Sequence, residues 1–370
     1  MQNLIAFVSS LLMVGFFTSG SRLLALSPSE EYSRRIRGVM CVILGITICV
    51  VVMFLLIMSC WSVLTDSHSS LTMLYFCAIP FCGSNLMLNY VNTTAQGDNH
   101  IIRISIARLL PSLLYLALAW LIYNRFGATP VRMLTLYNGT SFIILLLVII
   151  STKPSFNNLK DSFTILNNEN KHYGFNVYLG SLASVSTAYI AGITLGQFCE
   201  NNANVGFFTL ALNLASPLSM LPSIIGTAYF KRFASENQIG NKVLYGSISL
   251  TLISCVLFIL LIKYVVAFLY PASYAVVATI SSWLVLGTSM VGLGDMFNRF
   301  LGAHGLGKQI RNGAFACGAV VLVGNIVLVY FMQIEGAVIT RIVSSFVYLF
   351  CMCFYYMRFV REQKCETHYD

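Results

Sequence analysis

Charge is scarce in this sequence. Only 9% of its 370 residues are Asp, Glu, Lys or Arg, against about 25% in a soluble domain, which excludes a fold surrounded by water. The polar/apolar alternation of a transmembrane β-barrel, in segments of about ten residues, is also missing. Long polar stretches are few, and the longest, Thr152 to Gly174, leaves no room for a soluble catalytic domain. The five histidines, His68, His100, His172, His304 and His368, fall in loops, at helix margins or in the tail. No metal-ligand spacing links them, so neither a metal nor another cofactor is expected. The opening MQNLIAF lacks the form of a signal peptide.

What remains is apolar. Hydrophobic residues make up 57% of the chain, and runs such as Val39 to Trp61 exceed the roughly 18 residues that indicate a membrane span. Hydropathy and helix breakers give eleven expected spans: Leu4–Leu24, Val39–Trp61, Leu71–Asn92, Ile104–Tyr123, Val131–Ser151, Phe175–Phe198, Val205–Tyr229, Gly246–Tyr270, Val276–Phe300, Gly313–Met332 and Ala337–Met357. The fold class is an all-α polytopic membrane protein. Basic residues set its expected orientation. Eighteen of the 22 Lys and Arg fall in alternate loops or at the C-terminus; the other side holds Arg125, Arg132, Lys263 and Arg341. The C-terminus is therefore expected in the cytoplasm, and the net charge of +9 is mostly a topology signal. Nucleic acid is not an expected partner, because no basic patch is interleaved with exposed aromatics. Most of the eleven cysteines lie within spans, where a thiol acts as a small apolar group. Cys60 and Cys199 fall near outer helix ends, and their spacing does not decide whether they pair.

The chain contains an internal repeat. Ala95-Gln-Gly-Asp-Asn-His-Ile-Ile-Arg103 and Ala303-His-Gly-Leu-Gly-Lys-Gln-Ile-Arg311 share Ala, Gly, Ile and Arg at an offset of 208 residues. The same offset superposes five spans in register and in orientation, the plan of a parallel repeat of two bundles. The first lobe then has five helices and the second six, dividing the chain into 1–151, an inter-lobe linker at 152–174, and 175–370. The helix at Phe175–Phe198 has no first-lobe counterpart, so the chain is expected to start one helix late. The repeat also disposes of a resemblance to a nucleotide-binding loop. Gly302 to Lys308 has the spacing G-x-x-x-x-G-K, but Gln309 replaces the magnesium-binding hydroxyl and no strand precedes it. A duplicated tight turn explains the segment instead.

The block LGQFCENNANVGFFTLALNLASPLSMLPSIIGTAYFKRFAS, Leu195 to Ser235, resembles the seventh-to-eighth helix region of bacterial polysaccharide (O-antigen) flippases. These belong to the multidrug/oligosaccharidyl-lipid/polysaccharide exporter superfamily. FLYPASYAVVATISSWLVLG, FLGAHGLGKQIRN and EGAVITRIVSS fit the family's later helices. The resemblance implies a 6 + 6 helix plan, here 5 + 6, in the bacterial inner membrane. It further implies translocation of undecaprenyl-diphosphate-linked oligosaccharide by alternating access, driven by an ion gradient and not by ATP. Membrane lipid, the polysaccharide polymerase and the chain-length machinery are the partners it implies. Three alternatives remain: a multidrug or small-cation antiporter of the same architecture, a truncated inactive remnant, and a membrane polysaccharide polymerase, for which the outer loops are too short.

An anionic headgroup needs cationic side chains facing a cavity, since a charge at the bilayer centre costs roughly 2.5–3.5 kcal/mol or more. Arg22, in SGSRLLA, is a candidate for capturing diphosphate, with a snorkelling helix-end anchor as the alternative. Asp295 and Arg299 stand i and i+4 on one helix face, a spacing suited to an ion pair. The repeat places Met87 and Val91 opposite them, so these charges are private to the second lobe. Asp295 is the candidate proton-coupling group and Arg299 a candidate substrate ligand. Arg132 and Arg341 each enter the last helix of a lobe and are candidates for headgroup contact at release, with interfacial anchoring as the alternative. Asn213 belongs to a polar stripe, Thr209, Asn213, Ser216, Ser223 and Thr227, that could meet sugar hydroxyls or merely pack helices. No catalytic residue is expected.

Overall fold

A bilayer offers no water to satisfy exposed peptide groups, so apolar runs of this length close their hydrogen bonds within helices. In the computed structural model, residue 9 and residues 11–64, 79–127, 129–188, 190–198 and 203–366 are described. Among them there are helices and turns and no strand. The chain forms two compact units, Met1–Phe175 and Asn176–Asp370.

The first unit contains α1 (Phe16–Ala25), α2 (Glu30–Leu64), α3 (Ser84–Asp98), α4 (Ile101–Phe126), α5 (Pro130–Ser151) and α6 (Leu159–Glu169). Its core gathers Phe17, Ile36, Met40, Leu55, Leu86 and Tyr90. Helix α1 comes close to α3 because Gly97 has no side chain; a Cβ there would lie 2.5 Å from the Ser21 carbonyl oxygen. The segment expected as a linker is ordered: α6 and a single π-helical turn, Asn170–Gly174, complete this unit. Asn170 ties that turn to α1, accepting from Ser19 Oγ at 3.2 Å and donating to the Val14 carbonyl at 3.0 Å.

A charge cluster closes the basic-loop end of the first unit. Arg37 Nε lies 2.9 Å from Asp98 Oδ2, and both side chains are almost wholly buried. Arg37 also donates to the Thr152 carbonyl at 2.7 Å and reaches Glu30 at 3.0 Å, while Arg103 stands 3.8 Å from Asp98. Burial pushes the Asp98 carboxyl above its ordinary pKa, against the opposing pull of Arg37 and Arg103.

The second unit contains α7 (Phe175–Ala188, shared at its first residue with the boundary), α8 (Ile190–Phe198), α9 (Ala203–Ala215), α10 (Pro217–Ala228), α11 (Asn241–Leu269), α12 (Ala275–Ala303) and α13 (Gly307–Glu366). Helix α13 is two arms, 307–332 and 334–366, meeting at Gln333, whose φ of 51° breaks the helix. Helix α12 packs against α9, α10, α11 and α13, and glycines bring these neighbours close. A Cβ on Gly292 would lie 2.5 Å from the Ser219 carbonyl oxygen of α10. Gly287 faces Arg341 and Ile342, and Gly294 faces Tyr348 and Leu349. Both glycines and both facing pairs are separated by seven residues, so α12 and the second arm of α13 run side by side in register.

Six helices among the described residues are long and apolar enough to cross a membrane: Glu30–Cys60, Ile101–Arg125, Ala203–Ala228, Asn241–Leu269, Ala272–Ala303 and Gly307–Cys365. The last contains two of the eleven expected spans. The start of Leu4–Leu24, the start of Leu71–Asn92 and Cys199 lie outside the described residues. Pro217 opens α10 after a break, whereas Pro111 and Pro222 sit within helices. The repeated Ala-x-Gly serves two purposes. Gly305 supplies a left-handed turn residue at φ 75°, but in the first unit Asn99 takes that conformation and Gly97 is a buried helical contact.

Replacing Asp98 with Ala leaves Arg37 buried without its principal partner, and such a change costs about 3–5 kcal/mol. The expected outcome is a marked fall in melting temperature in detergent, with Glu31→Ala, at an exposed pair, as the neutral control. Gly292→Ala should destabilise by about 1–3 kcal/mol through helix displacement. Gly246→Ala, where nothing lies within 4 Å, should leave the melting temperature unchanged or slightly raised.

Candidate functional site

The polar stripe expected to meet a cargo mostly satisfies itself. Thr209 bonds the Val205 carbonyl at 2.7 Å, Ser216 that of Asn213 at 2.9 Å, and Thr227 that of Ser223 at 2.9 Å. A hydroxyl one turn from a helical carbonyl makes this bond readily. Asn213 is exposed and lies off the wall of a second-unit cavity whose α9 contributors are Phe208 and Leu212. On α7, Asn176 accepts from Arg311 at 2.8 Å, and a Cβ on Gly180 would lie 3.2 Å from Ala314.

That cavity, of about 470 Å³, lies wholly within the second unit, among α7, α8, α9, α12 and both arms of α13. Its lining is mostly apolar, with polar groups at two levels. At one level stands Asp295 of α12. The Tyr348 hydroxyl donates to Asp295 Oδ1 at 2.9 Å and accepts from Asn298 Nδ2 at 2.8 Å. The phenol thus links an amide donor to the carboxylate, and Gly294 gives the Tyr348 ring its place beside α12. At the other level stand Arg341 and Asn325, on the two arms of α13. The side chain of Thr340 packs on Gly324, where a Cβ would lie 2.6 Å from Thr340 Cγ2. The next residues, Arg341 and Asn325, therefore sit at the same depth.

The remaining expected site residues disperse. Arg22 pairs with Glu169 at 2.5 Å and lies over the Tyr173 ring, 5.9 Å from its centroid. It therefore joins α1 to the end of α6 and to the turn that follows it. Arg299 does not line the cavity; its aliphatic stem packs on Gly226, though its charge still acts on Asp295. Arg132 and Arg341, near-equivalent in the repeat, part company. Arg132 is exposed at the start of α5, where Thr129 Oγ1 caps its backbone amide at 3.4 Å. Arg341 lies eight residues beyond Gln333, about 12 Å along the helix, and lines the cavity. Tyr348, Asn298 and Asn325 went unforeseen. Asn325 could have been noticed as a lone amide in VVLVGNIVLVYF, but Tyr348 is one of nineteen tyrosines, with nothing local to set it apart. Among the described residues no group of three or more His, Cys, Asp or Glu is arranged to hold a metal ion.

No family model and no curated protein matches the sequence. Solved structures do. The chain is similar to the Vibrio cholerae MATE transporter VcmN in its bent form, at a TM-score of 0.72 and 15% identity, covering 98% of this chain and 88% of that one. The eukaryotic MATE transporter AtDTX14 matches at a TM-score of 0.70 and 14% identity, over 97% and 86%. The MATE transporter ClbM, solved in complex with Rb+, matches at 0.65 and 16%, again over 97% and 86%. The fold is therefore that of polytopic all-α MATE transporters.

Tyr348→Phe removes the donor to Asp295 and the acceptor of Asn298 together. The expected cost is about 1–3 kcal/mol, read as a lower melting temperature of the purified protein. Tyr245→Phe, at an exposed position, should melt like the unaltered chain.

Proposed function

We propose that the chain is a multi-pass membrane exporter that works by alternating access and is driven by an ion gradient. Its cargo is of the multidrug or small-cation kind. Asp295 carries this reading: it is a carboxylate enclosed in a membrane cavity, in a chain that shares its fold with MATE transporters over nearly its whole length. A carboxylate in such a place is costly when charged and unpaired. It therefore favours states in which a proton or a small cation neutralises it, which is how a gradient gains a hold on a conformational equilibrium. Tyr348 and Asn298 orient the group, and Arg299 adds a positive field. The Rb+ bound to ClbM supports a monovalent cation as one coupling candidate. The chain transports and does not catalyse.

One observation favours a second reading, the flipping of undecaprenyl-diphosphate-linked oligosaccharide. Within the helices of the second unit, Lys263, Arg299 and Arg341 face only Asp295 and Glu335 between the basic ends. An excess of cations suits an anionic cargo better than a cationic one.

Proteoliposomes loaded with ethidium separate the two readings. The proposed antiporter should release the dye when an inward proton or sodium gradient is imposed, and Asp295→Asn should bring release near background. Absence of gradient-dependent release, together with restored O-antigen in a flippase-deficient strain, would transfer the assignment to the second reading.

A further inference from the structure

Most polar side chains among the described helices have evident partners, and two in the second-unit cavity do not. Asn325 is 3% exposed; its Nδ2 bonds the Val321 carbonyl at 2.8 Å, yet its buried Oδ1 has no partner among the described residues. Arg341 Nε is buried and likewise without a hydrogen-bond partner among them. No acid lies within ion-pair distance of Arg341 among the described residues, and the titratable group acting on it is the Cys317 thiol. Both residues line one cavity at one depth, with Thr340 between the two arms.

An isolated guanidinium in hydrocarbon carries a cost that an architectural role does not explain. Elsewhere in this protein buried arginine is compensated, as Arg37 is by Asp98. An unused donor fork beside an unused acceptor has a defined complement: an oxyanion for Arg341, with a neighbouring O–H or N–H for Asn325. Around them Ala314, Val321, Ala337 and Phe208 supply apolar wall, which calls for an organic body.

We propose that Arg341 and Asn325 form an anion subsite for small organic oxyanions, carboxylates or phosphate esters, that carry a hydrogen-bond donor next to the charge. Asp295, at the other level of the same cavity, is left to the coupling ion. Binding at this subsite stands on the cavity alone; that the bound anion is cargo rests on the exporter reading. Under that reading the multidrug cargo extends to anionic or zwitterionic molecules, and their release is linked to protonation or cation exchange at Asp295.

The test is saturable thermal stabilisation of the purified full chain, since a ligand that binds the folded state raises its melting temperature. Mandelate, an aryl α-hydroxycarboxylate, and phenyl phosphate are the two oxyanion probes; benzyl alcohol and chloride are the controls. Mandelate or phenyl phosphate should stabilise in a saturable way, and whichever binds tighter identifies the oxyanion. Arg341→Gln should weaken that binding by about thirtyfold or more, and Asn325→Ala should weaken it to a smaller degree. Arg358→Gln, at an exposed pair outside the cavity lining, should leave it unchanged. If Arg341→Gln does not fold, Arg341→Lys serves, because a point charge lacks the fork and should bind about tenfold more weakly. Equal stabilisation by benzyl alcohol, full stabilisation by chloride alone, or undiminished binding in the Arg341 and Asn325 variants would overturn the proposal. Binding of mandelate without any ethidium transport would instead remove the exporter reading and leave the subsite standing.

Discussion

Inside a bilayer a polar group must find a partner within the protein, and most of this structure can be traced to that constraint. Peptide groups meet it through helices. Serine and threonine side chains meet it by turning back to carbonyls three or four residues behind, as Thr94, Thr251 and Thr340 do. Buried charges meet it by pairing: Arg37 with Asp98 and Arg22 with Glu169. These pairs fasten helices to each other, so each satisfied charge also fixes a tertiary contact. Against that background two of the polar atoms left unmet among the described residues, Arg341 Nε and Asn325 Oδ1, stand out because both residues line one cavity.

Close helix packing determines where that cavity lies. With lipid as apolar as leucine, helices associate through shape, and small residues let backbones approach. Gly287, Gly292 and Gly294 on α12 each mark a place where another helix comes near. Gly292 admits α10, while Gly287 and Gly294 admit the last arm of α13 on a seven-residue period. That period carries Arg341 and Tyr348 past α12 on one face, one at each polar level of the cavity. The bend at Gln333 returns the chain so that Asn325 and Arg341 line one cavity. Packing residues without chemistry of their own thus position the ones that have it.

The sequence anticipates some of this closely. Asp295 stood out as a charge private to the second lobe, and it lines the cavity. Its foreseen partner was Arg299, one turn away on the same helix, yet its hydrogen bond comes from Tyr348 on another helix. Helical spacing reports only contacts along one element, and a partner brought by the fold leaves no periodic trace. Arg132 and Arg341 make the same point: nearly equivalent in the repeat, they end as an exposed helix-start residue and a cavity residue. Gly97 and Gly305 likewise share a motif and differ in role, because each depends on whether a neighbouring helix reaches the turn.

The amino-acid sequence by itself determined that this chain is a polytopic bundle of apolar helices with a duplicated plan. Both conclusions depend on hydropathy and periodicity, which are properties of residues in order. Tertiary structure alone decided which polar residues find partners, which line a cavity, and that Asp295 and Arg341 belong to the same one. Those outcomes depend on approaches between helices far apart in sequence, governed by glycines whose neighbours no local pattern names.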